Sequence, residues 1–541
     1  MKQRMNAELI RSKVKSKKAK IIWISYFAFL LFTFAFASSC NSKPTDLRTL
    51  VPAETLVYLE TNDLAAALQP IVDNKAFEAV AKSKPDFSAL KGVQLAVAVT
   101  GFETSEEKLT DEHSVGRIQP HFVAIADTHA WNFQAVGFAE KKLGAFVENI
   151  YDSAPTLEKS DKNGGKYFIW TAKDGRKAYA LVIDSIIYFG NDETAIDKCL
   201  AVKRGEADSI VKTGKVQPAD PTTLASGYVS TVGIAQIANI VGLKFASDAG
   251  EDSEVQSAIA GILPQLLRNS ITEISWTATK TVQGIEDKYL VTMPPEIANA
   301  LVETFAPNEN PYLTPSPDQI RGDISTVTVY NIKNPQIAWR SVMLVAQKQM
   351  GALESKVFVE FSHLLFEPYG VNNVEEFLSS INGPVVTATI DASGEQPVVV
   401  VTETDGVRFL KALLPEVKPY ASGIGTAPQV LDEGEMGVVT NGDFTYVGNA
   451  NAVIRCSGAP NTSPIYELLQ SRLQKASILT AGRDTTTTLS LVDMLAHEGH
   501  GDTRAISTYF TETRFTKSGM ERRTVSDFGL IGSIIAQLAQ D

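Results

Sequence analysis

The chain repeats itself once across its 541 residues, and this constrains its fold more than any other feature. Four short segments of the first half recur in the same order in the second half. The matched positions are Tyr58 with Tyr330, Asp127 with Glu403, Gly190 with Gly448, and Gly284 with Gly519. The separation between matched positions is clearly smaller for the last two pairs than for the first two, so the second copy is the shorter one. A long internal period of this kind predicts two modules with one fold.

A proline-rich stretch lies between the two copies. Pro307, Pro311, Pro315 and Pro317 place four prolines within eleven residues, which predicts an extended linker. The resulting boundaries are these: 49–305 for the first module, 306–320 for the linker and 321–541 for the second module. Each module is long enough to bury a core of its own.

Each copy alternates short β-rich runs with turn residues and helical stretches. Runs 385–390 and 398–401 flank a turn cluster, and an Asp-Gly turn begins at Asp174, so each copy contains a predicted hairpin. A short amphipathic helix closes each copy, over 295–305 and 532–540. Hairpins with helices packed on one face indicate an α+β fold, here two homologous modules of antiparallel sheet.

A Gly-Asn pair ends one strand in each copy. Gly190 and Gly448 are expected to need a backbone conformation that a Cβ atom would disfavour. Asn191 and Asn449 are expected to cap the helix that follows. The turn is therefore predicted to lead from a buried strand directly into a helix in both modules.

Cys199 and Cys456 lie at similar places in the two copies, each among apolar residues. A cysteine in such surroundings behaves as a small buried hydrophobic residue. We therefore expect two buried thiols in separate modules, with a single disulfide as the alternative in an oxidising compartment. Phe168, Trp170 and Trp276 are expected in the core, with an exposed ligand platform as the alternative.

The N-terminus has the organisation of a secretory leader. Eight basic residues and one acid precede an apolar run over 21–36, and Ala37, Ser38 and Ser39 follow it before Cys40. This arrangement resembles the lipobox of bacterial lipoproteins. The resemblance implies that the leader 1–39 is cleaved, that Cys40 is diacylated and that 40–48 form a tether. The alternative is an uncleaved transmembrane anchor helix.

Both alternatives predict the same location for the body of the protein. The basic flank keeps the N-terminus cytoplasmic, so residues 41–541 face the periplasm or the exterior of the cell envelope. A second and weaker resemblance is carried by the strand opening Val51 to Thr55 and by the turn Tyr188 to Asn191. These segments resemble bacterial envelope proteins filed as domain of unknown function 3352. That resemblance implies an exported α+β protein and no activity.

The charge of the exported part restricts its partners. Residues 40–541 hold 42 basic and 61 acidic side chains, a net charge of −19. A surface of this sign repels polyanions, which argues against nucleic acid as a partner. The membrane, reached through the lipid or the anchor helix, is the expected partner, together with a protein or a lipid ligand.

One segment has the composition of a metal site. His497, Glu498 and His500 are close in sequence, but a zinc-protease helix needs its two histidines four residues apart rather than three. A loop site is possible, and a polar connection is the alternative reading.

No nucleophile motif occurs in the chain. The sequence therefore favours a non-enzymatic envelope lipoprotein with a duplicated binding or scaffolding body and no cofactor. The alternatives are a carrier of apolar ligands and a metal-assisted hydrolase.

Overall fold

The structure is a computed structural model that describes most of the chain from residue 45 to residue 539. The gaps in the described part are 109–113, 152–153, 219, 221, 249–261, 263, 308–323, 352–354, 357, 360–361, 364, 391–395, 403, 423–433, 459–475, 485–486 and 497–506. The predicted leader, Cys40 and nearly all of the predicted linker lie outside the described residues. Within them, no helix combines the length and apolarity needed to span a bilayer.

One continuous sheet contains the nineteen strands of the described residues. In chain order the strands are β1 Val57–Thr61, β2 Gln94–Lys108, β3 Ser114–Asp127, β4 Thr156–Lys162, β5 Gly165–Thr171, β6 Lys177–Ile183, β7 Ile186–Gly190, β8 Thr223–Val229, β9 Glu273–Thr281, β10 Gly284–Thr292, β11 Ile324–Tyr330, β12 Val385–Ile390, β13 Gln396–Thr402, β14 Lys418–Pro419, β15 Met436–Asn441, β16 Phe444–Asn449, β17 Ile478–Asp484, β18 Ser507–Thr516 and β19 Gly519–Ser526. All neighbouring strands are antiparallel except β14 and β15.

Helices connect many of these strands. They are α1 Leu64–Val72, α2 Lys75–Val80, α3 Asn132–Phe138, α4 Gly144–Ile150, α5 Glu193–Lys203, α6 Thr231–Asp248, α7 Pro295–Thr304, α8 Pro335–Lys348, α9 Val374–Ser379, α10 Gly406–Lys411, α11 Ala450–Gly458, α12 Thr487–Ala496 and α13 Gly529–Ala539. The amphipathic helices predicted at 295–305 and 532–540 correspond to α7 and α13.

Eight strands of each half follow the same order, and the first half continues beyond β6 through β5 to β4, whereas the short parallel strand β14 adjoins β15 in the second half. In the first half the neighbours run β6, β7, β3, β2, β1, β8, β9, β10. In the second half they run β15, β16, β13, β12, β11, β17, β18, β19. Strands β10 and β19 pair with each other and join the halves edge to edge. The matched tyrosines Tyr58 and Tyr330 lie on the corresponding strands β1 and β11.

The predicted α+β antiparallel fold is confirmed, but the helices lie against both faces of the central strands rather than one. In β2, Val97 and Val99 pack with Leu68 of α1 in one core cluster. Ala96 and Ala98 face the other way and pack with Cys199 of α5. Successive apolar residues in one strand require burial on both sides, which a single layer of helices does not provide.

The closing helix of each half packs on the other half. Helix α13 contacts β10 of the first half, and its Ile535 and Ala536 belong to a core cluster that contains Leu64 and Leu68. Helix α7 contacts β18 and β19 of the second half. Next to its end, Phe305 packs against Phe515 with ring centroids 4.6 Å apart. This exchange buries apolar side chains of each half in the other half.

The two strand-end glycines are required for different reasons. Gly448 has φ of +147°, as expected for a position that disfavours a Cβ atom. Gly190 does not have a positive φ, and the expectation is wrong there. A Cβ atom at Gly190 would instead lie 2.4 Å from the carbonyl oxygen of Phe122 on β3, so close approach of the backbone excludes other residues.

The asparagines that follow also differ. Asn449 accepts a hydrogen bond from the N–H of Ala452 and caps α11, as predicted. Asn191 does not cap α5, because Asp192 is the capping residue. The Asn191 side chain instead accepts from the N–H of Phe122 and donates to the carbonyl of Pro120. It thereby fixes the end of β7 to β3.

The prediction of two buried thiols is confirmed. Cys199 lies in α5 and Cys456 in α11, and no disulfide joins them. Both helices directly follow the strand that ends in the Gly-Asn pair, so the cysteines occupy corresponding helices of the two halves. Burial raises the pKa of the Cys199 thiol to about 12.

Candidate ligand site at the junction of the two halves

A cavity of about 490 Å³ lies where the two halves join, and we call it the junction cavity. Its floor is one face of the paired strands β10 and β19. Because side chains alternate along a strand, Tyr289 and Val291 share this face with their cross-strand neighbours Arg522 and Met520. Leu530 of α13 also lines the cavity, which therefore exists only because the closing helix of the second half crosses the junction.

Asp287 is the buried acid of the junction cavity. Its Oδ1 accepts a hydrogen bond of 2.9 Å from Nε1 of Trp276, and its Oδ2 accepts one of 2.8 Å from the N–H of Leu530. Burial raises the pKa of Asp287 to about 6, and these two donors limit the rise because they stabilise the carboxylate. Asp287 therefore links a strand of the first half to the first turn of α13.

Arg522 supplies the positive charge of the junction cavity. It is exposed and lies directly across the β10–β19 pair from Tyr289. Burial raises the pKa of Tyr289, so its hydroxyl is a neutral hydrogen-bonding group at physiological pH. In the described part of the chain, no carboxylate lies within ion-pair distance of Arg522, whereas its sequence neighbours Glu521 and Arg523 form ion pairs on the opposite face.

A second cavity of about 170 Å³ adjoins the first and is almost entirely apolar. We call it the apolar cavity. Leu59, Val97 and Trp276 line it from the sheet, and Ile534 lines it from α13. Leu530 lines both cavities. The hydrogen bond from Trp276 to Asp287 therefore connects a residue of the apolar cavity to a residue of the junction cavity.

The two cavities together suit an amphipathic ligand. The apolar cavity offers aliphatic and aromatic surface, where an alkyl chain gains about 25 cal/mol per Å² of area removed from water. The junction cavity offers the guanidinium of Arg522 and the hydroxyls of Tyr289 and Tyr509 to a polar or anionic group. Ligand sites are commonly largely apolar, with a few convergent polar groups that fix orientation.

A cleft of about 360 Å³ occupies the corresponding place in the other half. It lies between α7 and α8, as the apolar cavity lies between α13 and α1. Arg340, Lys348 and Glu296 line it beside apolar residues such as Leu344. The cleft is therefore more polar than the apolar cavity. Of these two corresponding positions, the one beside α13 has the apolar lining.

One buried polar cluster in the first half contains the residue types of a catalytic triad. The hydroxyl of Ser185 donates to Oδ1 of Asp127 at 2.8 Å, and Nδ1 of His129 lies 3.4 Å from the same oxygen. Ser, His and Asp are thus together, but the serine donates to the acid and not to the histidine. A nucleophilic serine needs the histidine as its base, so this geometry is not that of a catalytic triad.

The predicted site residues lie largely outside the described residues. Cys40 precedes them, and His497, Glu498 and His500 fall in the gap after α12. Among the residues that the structure does describe, no group of three or more potential metal ligands occurs. The metal and lipidation sites therefore remain predictions.

The three aromatic residues predicted to lie in the core are all buried, but one of them also lines a cavity. Phe168 and Trp170 stack at 5.7 Å and are buried in the first-half core, so the alternative of an exposed platform is wrong for them. Trp276 is also buried, at 7% exposure, yet its ring lines the apolar cavity.

No sequence motif singled out Arg522 or Asp287. The only usable signal was an acid at an inward position of an alternating strand.

Comparisons with known proteins give little further information. No family model matches the chain, and no curated protein matches it. Crystal forms IV and III of TP0453 are similar to this chain at 8% and 9% identity, with TM-scores of 0.22 and 0.23. The matched regions cover 45% and 49% of this chain and 79% and 88% of TP0453. At these scores the similarity supports no conclusion about function.

Proposed function

We propose that this chain is a non-enzymatic, membrane-anchored lipoprotein of the cell envelope whose duplicated body binds an amphipathic ligand where its halves join. The pair of adjoining cavities beneath α13 carries the proposal. One of them is almost wholly apolar, and the other presents Arg522 without an ion-pair partner among the described residues. An envelope location, expected from the leader, supplies lipids and other amphipathic molecules.

A binding role agrees better with this site than a catalytic one. General acid and base catalysis requires titratable groups that can reach a substrate proton. Burial raises the pKa of two acids that line the junction cavity, Asp287 and Asp527. Asp287 uses both carboxylate oxygens to hold Trp276 and α13. Asp527 accepts hydrogen bonds from the N–H of Thr508 and the side chain of Asn74. Arg522 remains protonated at any physiological pH and suits the recognition of an anion rather than proton transfer.

Analysis of co-purified lipid tests the binding role. The wild type is isolated from membranes, washed free of loose lipid, extracted and examined by mass spectrometry. Ile534 lines the apolar cavity from α13, so Ile534→Trp should fill the cavity and abolish stoichiometric co-purification. The matched control is Ala300→Trp, which places the same ring in the cleft between α7 and α8 and should leave lipid content unchanged. Wild-type protein without lipid would contradict the proposal.

The anchor is tested separately from the cavity. Metabolic labelling with a radioactive fatty acid should label the wild type and not Cys40→Ser. The mature mass should correspond to a chain that begins at residue 40 and carries acyl groups. An unlabelled wild type with an intact leader would refute lipidation, and it would leave the transmembrane anchor as the explanation of membrane association.

A further inference from the structure

Two aromatic side chains project into solvent at the start of α3. Trp131 is 69% exposed and Phe133 is 72% exposed, although both are large and apolar. Trp131 is the residue before the first turn of the helix, and Phe133 lies within that turn. Two large apolar side chains this exposed within three residues of the chain form a candidate surface for contact with another phase or molecule.

The local structure holds this aromatic pair in place. The N–H of Trp131 donates to the side chain of Gln134 at 3.2 Å, and the N–H of Gln134 donates back to the carbonyl of Trp131 at 2.9 Å. The preceding His129 has φ of +49°, and its N–H donates to Asp127. Insertion of Trp131 into another phase would therefore require little further ordering of the backbone.

The N-terminal segment enters the fold at the same place. The hydroxyl of Thr45 donates to Oδ2 of Asp127 at 2.6 Å, and the backbone of Thr45 forms two hydrogen bonds with the side chain of Gln94. Asp127 is only 2% exposed and also receives the N–H of His129. One buried carboxylate thus binds both Thr45 of the tether and the loop that carries Trp131.

The length of the tether determines what can cover the aromatic pair. Cys40 and Thr45 are five residues apart, so a fully extended chain between them spans at most about 18 Å. If Cys40 carries the lipid, the bilayer surface lies within that distance of Thr45. Tryptophan is enriched at membrane interfaces because its ring is apolar and its N–H is polar. The occupant nearest to this surface is therefore the bilayer itself.

We propose that Trp131 and Phe133 insert into the interface of the membrane that holds the N-terminal anchor, so that the body is oriented on the bilayer rather than swinging on its tether. The inference rests on the anchored state assigned under the proposed function. The partner is a zwitterionic lipid surface, since the net charge of −19 disfavours strongly anionic headgroups.

Fluorescence quenching tests this contact in the full anchored chain. Wild type and Trp131→Phe are reconstituted into phosphatidylcholine vesicles with and without brominated acyl chains, and the difference between the two proteins gives the emission of Trp131. We expect brominated lipid to remove most of that difference signal. Phe133→Ser should weaken the quenching while leaving the circular dichroism spectrum unchanged, because the side chain makes little contact with the core.

The second half offers a matched control. Val407 follows Glu403 at the same distance in sequence as Trp131 follows Asp127, and it is 68% exposed at the start of α10. Val407 is the second residue of α10, as Phe133 is of α3, so Val407→Trp in the Trp131→Phe background places an exposed indole at the corresponding helix start of the half that the tether does not enter. We expect brominated lipid to leave its emission unchanged. Equal quenching at both positions would overturn the proposal, because contact would then be unspecific.

The remaining outcomes also separate the alternatives. Absence of quenching at Trp131 in protein whose acyl mass has been verified overturns the membrane contact and leaves the anchor intact. A blue-shifted Trp131 emission without quenching overturns it as well, because a protein or a second copy would then cover the pair. If no acyl group is found, the proposal of lipidation is refuted. Quenching at Trp131 still tests the membrane contact, because residues 21–39 would then be the membrane anchor and would hold Thr45 near the bilayer.

Discussion

Lys288 and Arg523 face each other directly across the two strands that join the halves. Their separation in sequence equals that of Gly284 from Gly519, the last matched pair of the repeat. Lys288 and Arg523 are therefore counterparts in the repeat as well as cross-strand partners. Since the strands are antiparallel, every pair on one side of this point has an equivalent pair on the other. A local pseudo-twofold axis passes through the sheet between Lys288 and Arg523.

The ion pairs at the junction follow this symmetry. Lys288 pairs with Glu521 at 3.1 Å, and Arg523 pairs with Glu286. Glu286 and Glu521 are separated in sequence by the same interval as Lys288 and Arg523, so the second pair is the image of the first. The two pairs differ in exposure, because the Glu286 side chain is less exposed than that of Glu521.

We expect this difference in exposure to appear as a difference in stability. Glu521→Gln removes a solvent-exposed pair and should change the free energy of unfolding by no more than about 0.5 kcal/mol. Glu286→Gln should cost about 1 kcal/mol or more, because it removes the carboxylate from Arg523, whose buried Nε has no hydrogen-bond partner. Urea unfolding at neutral pH measures both. Equal costs for the two variants would contradict the expectation that the less exposed ion pair contributes more to stability.

The repeat itself could be predicted from the sequence, whereas the way in which the halves join could not. The matched glycines Gly284 and Gly519 begin β10 and β19, and they identified these strands as equivalents. Both strands have the alternating pattern of any antiparallel strand, and such a pattern does not identify a neighbour. Nothing in the sequence therefore indicated that equivalent strands would pair with each other.

The sequence did not predict the exchange of closing helices between the halves, for a similar reason. The apolar stripe of 532–540 predicts an amphipathic helix, but a stripe shows only that a face is buried and not which half buries it. The candidate site depends on that exchange, because Leu530 and Ile534 reach the cavities only from α13. Long-range contacts of this kind depend on the whole fold and leave no local sequence signal.

Asp287 should give the protein a characteristic dependence of stability on pH. Its pKa rises from 3.8 to about 6 on folding, so the folded state binds more protons than the unfolded state between these values. Its contribution to stability is therefore present below about pH 4 and is lost as the pH rises through 6. A shift of this size corresponds to about 2–3 kcal/mol.

Asp287→Asn isolates this contribution. The amide retains an oxygen that can accept from Trp276 but presents N–H groups to the N–H of Leu530, so the variant should be less stable at every pH. Urea unfolding between pH 4 and pH 7 should nevertheless show a smaller fall in stability for the variant than for the wild type. Burial also raises the pKa of Asp527, which acts in the same direction in both proteins. Parallel curves for the two proteins would refute the assignment.

A side chain at Gly190 should destabilise the protein. The added Cβ of Gly190→Ala would lie 2.4 Å from the carbonyl oxygen of Phe122, so β3 or β7 must shift. We expect a loss of about 1–3 kcal/mol, the usual cost of overpacking. Gly137→Ala is the control, because Gly137 lies inside α3 with nothing within 4 Å of the added atom. That variant should gain up to about 1 kcal/mol in thermal or urea unfolding, since alanine favours a helix.

Thiol counting should report the folded core and the state of Cys40 in one measurement. Cys199 and Cys456 are buried, and the pKa of Cys199 is raised to about 12, so neither should react with a thiol reagent at pH 8 in the native protein. After denaturation under non-reducing conditions, an acylated protein should expose two reactive thiols. A protein with an unmodified Cys40 should expose three. In an acylated protein, the absence of reactive thiols that return after reduction would indicate a disulfide between Cys199 and Cys456, and it would contradict the placement of these cysteines in separate halves.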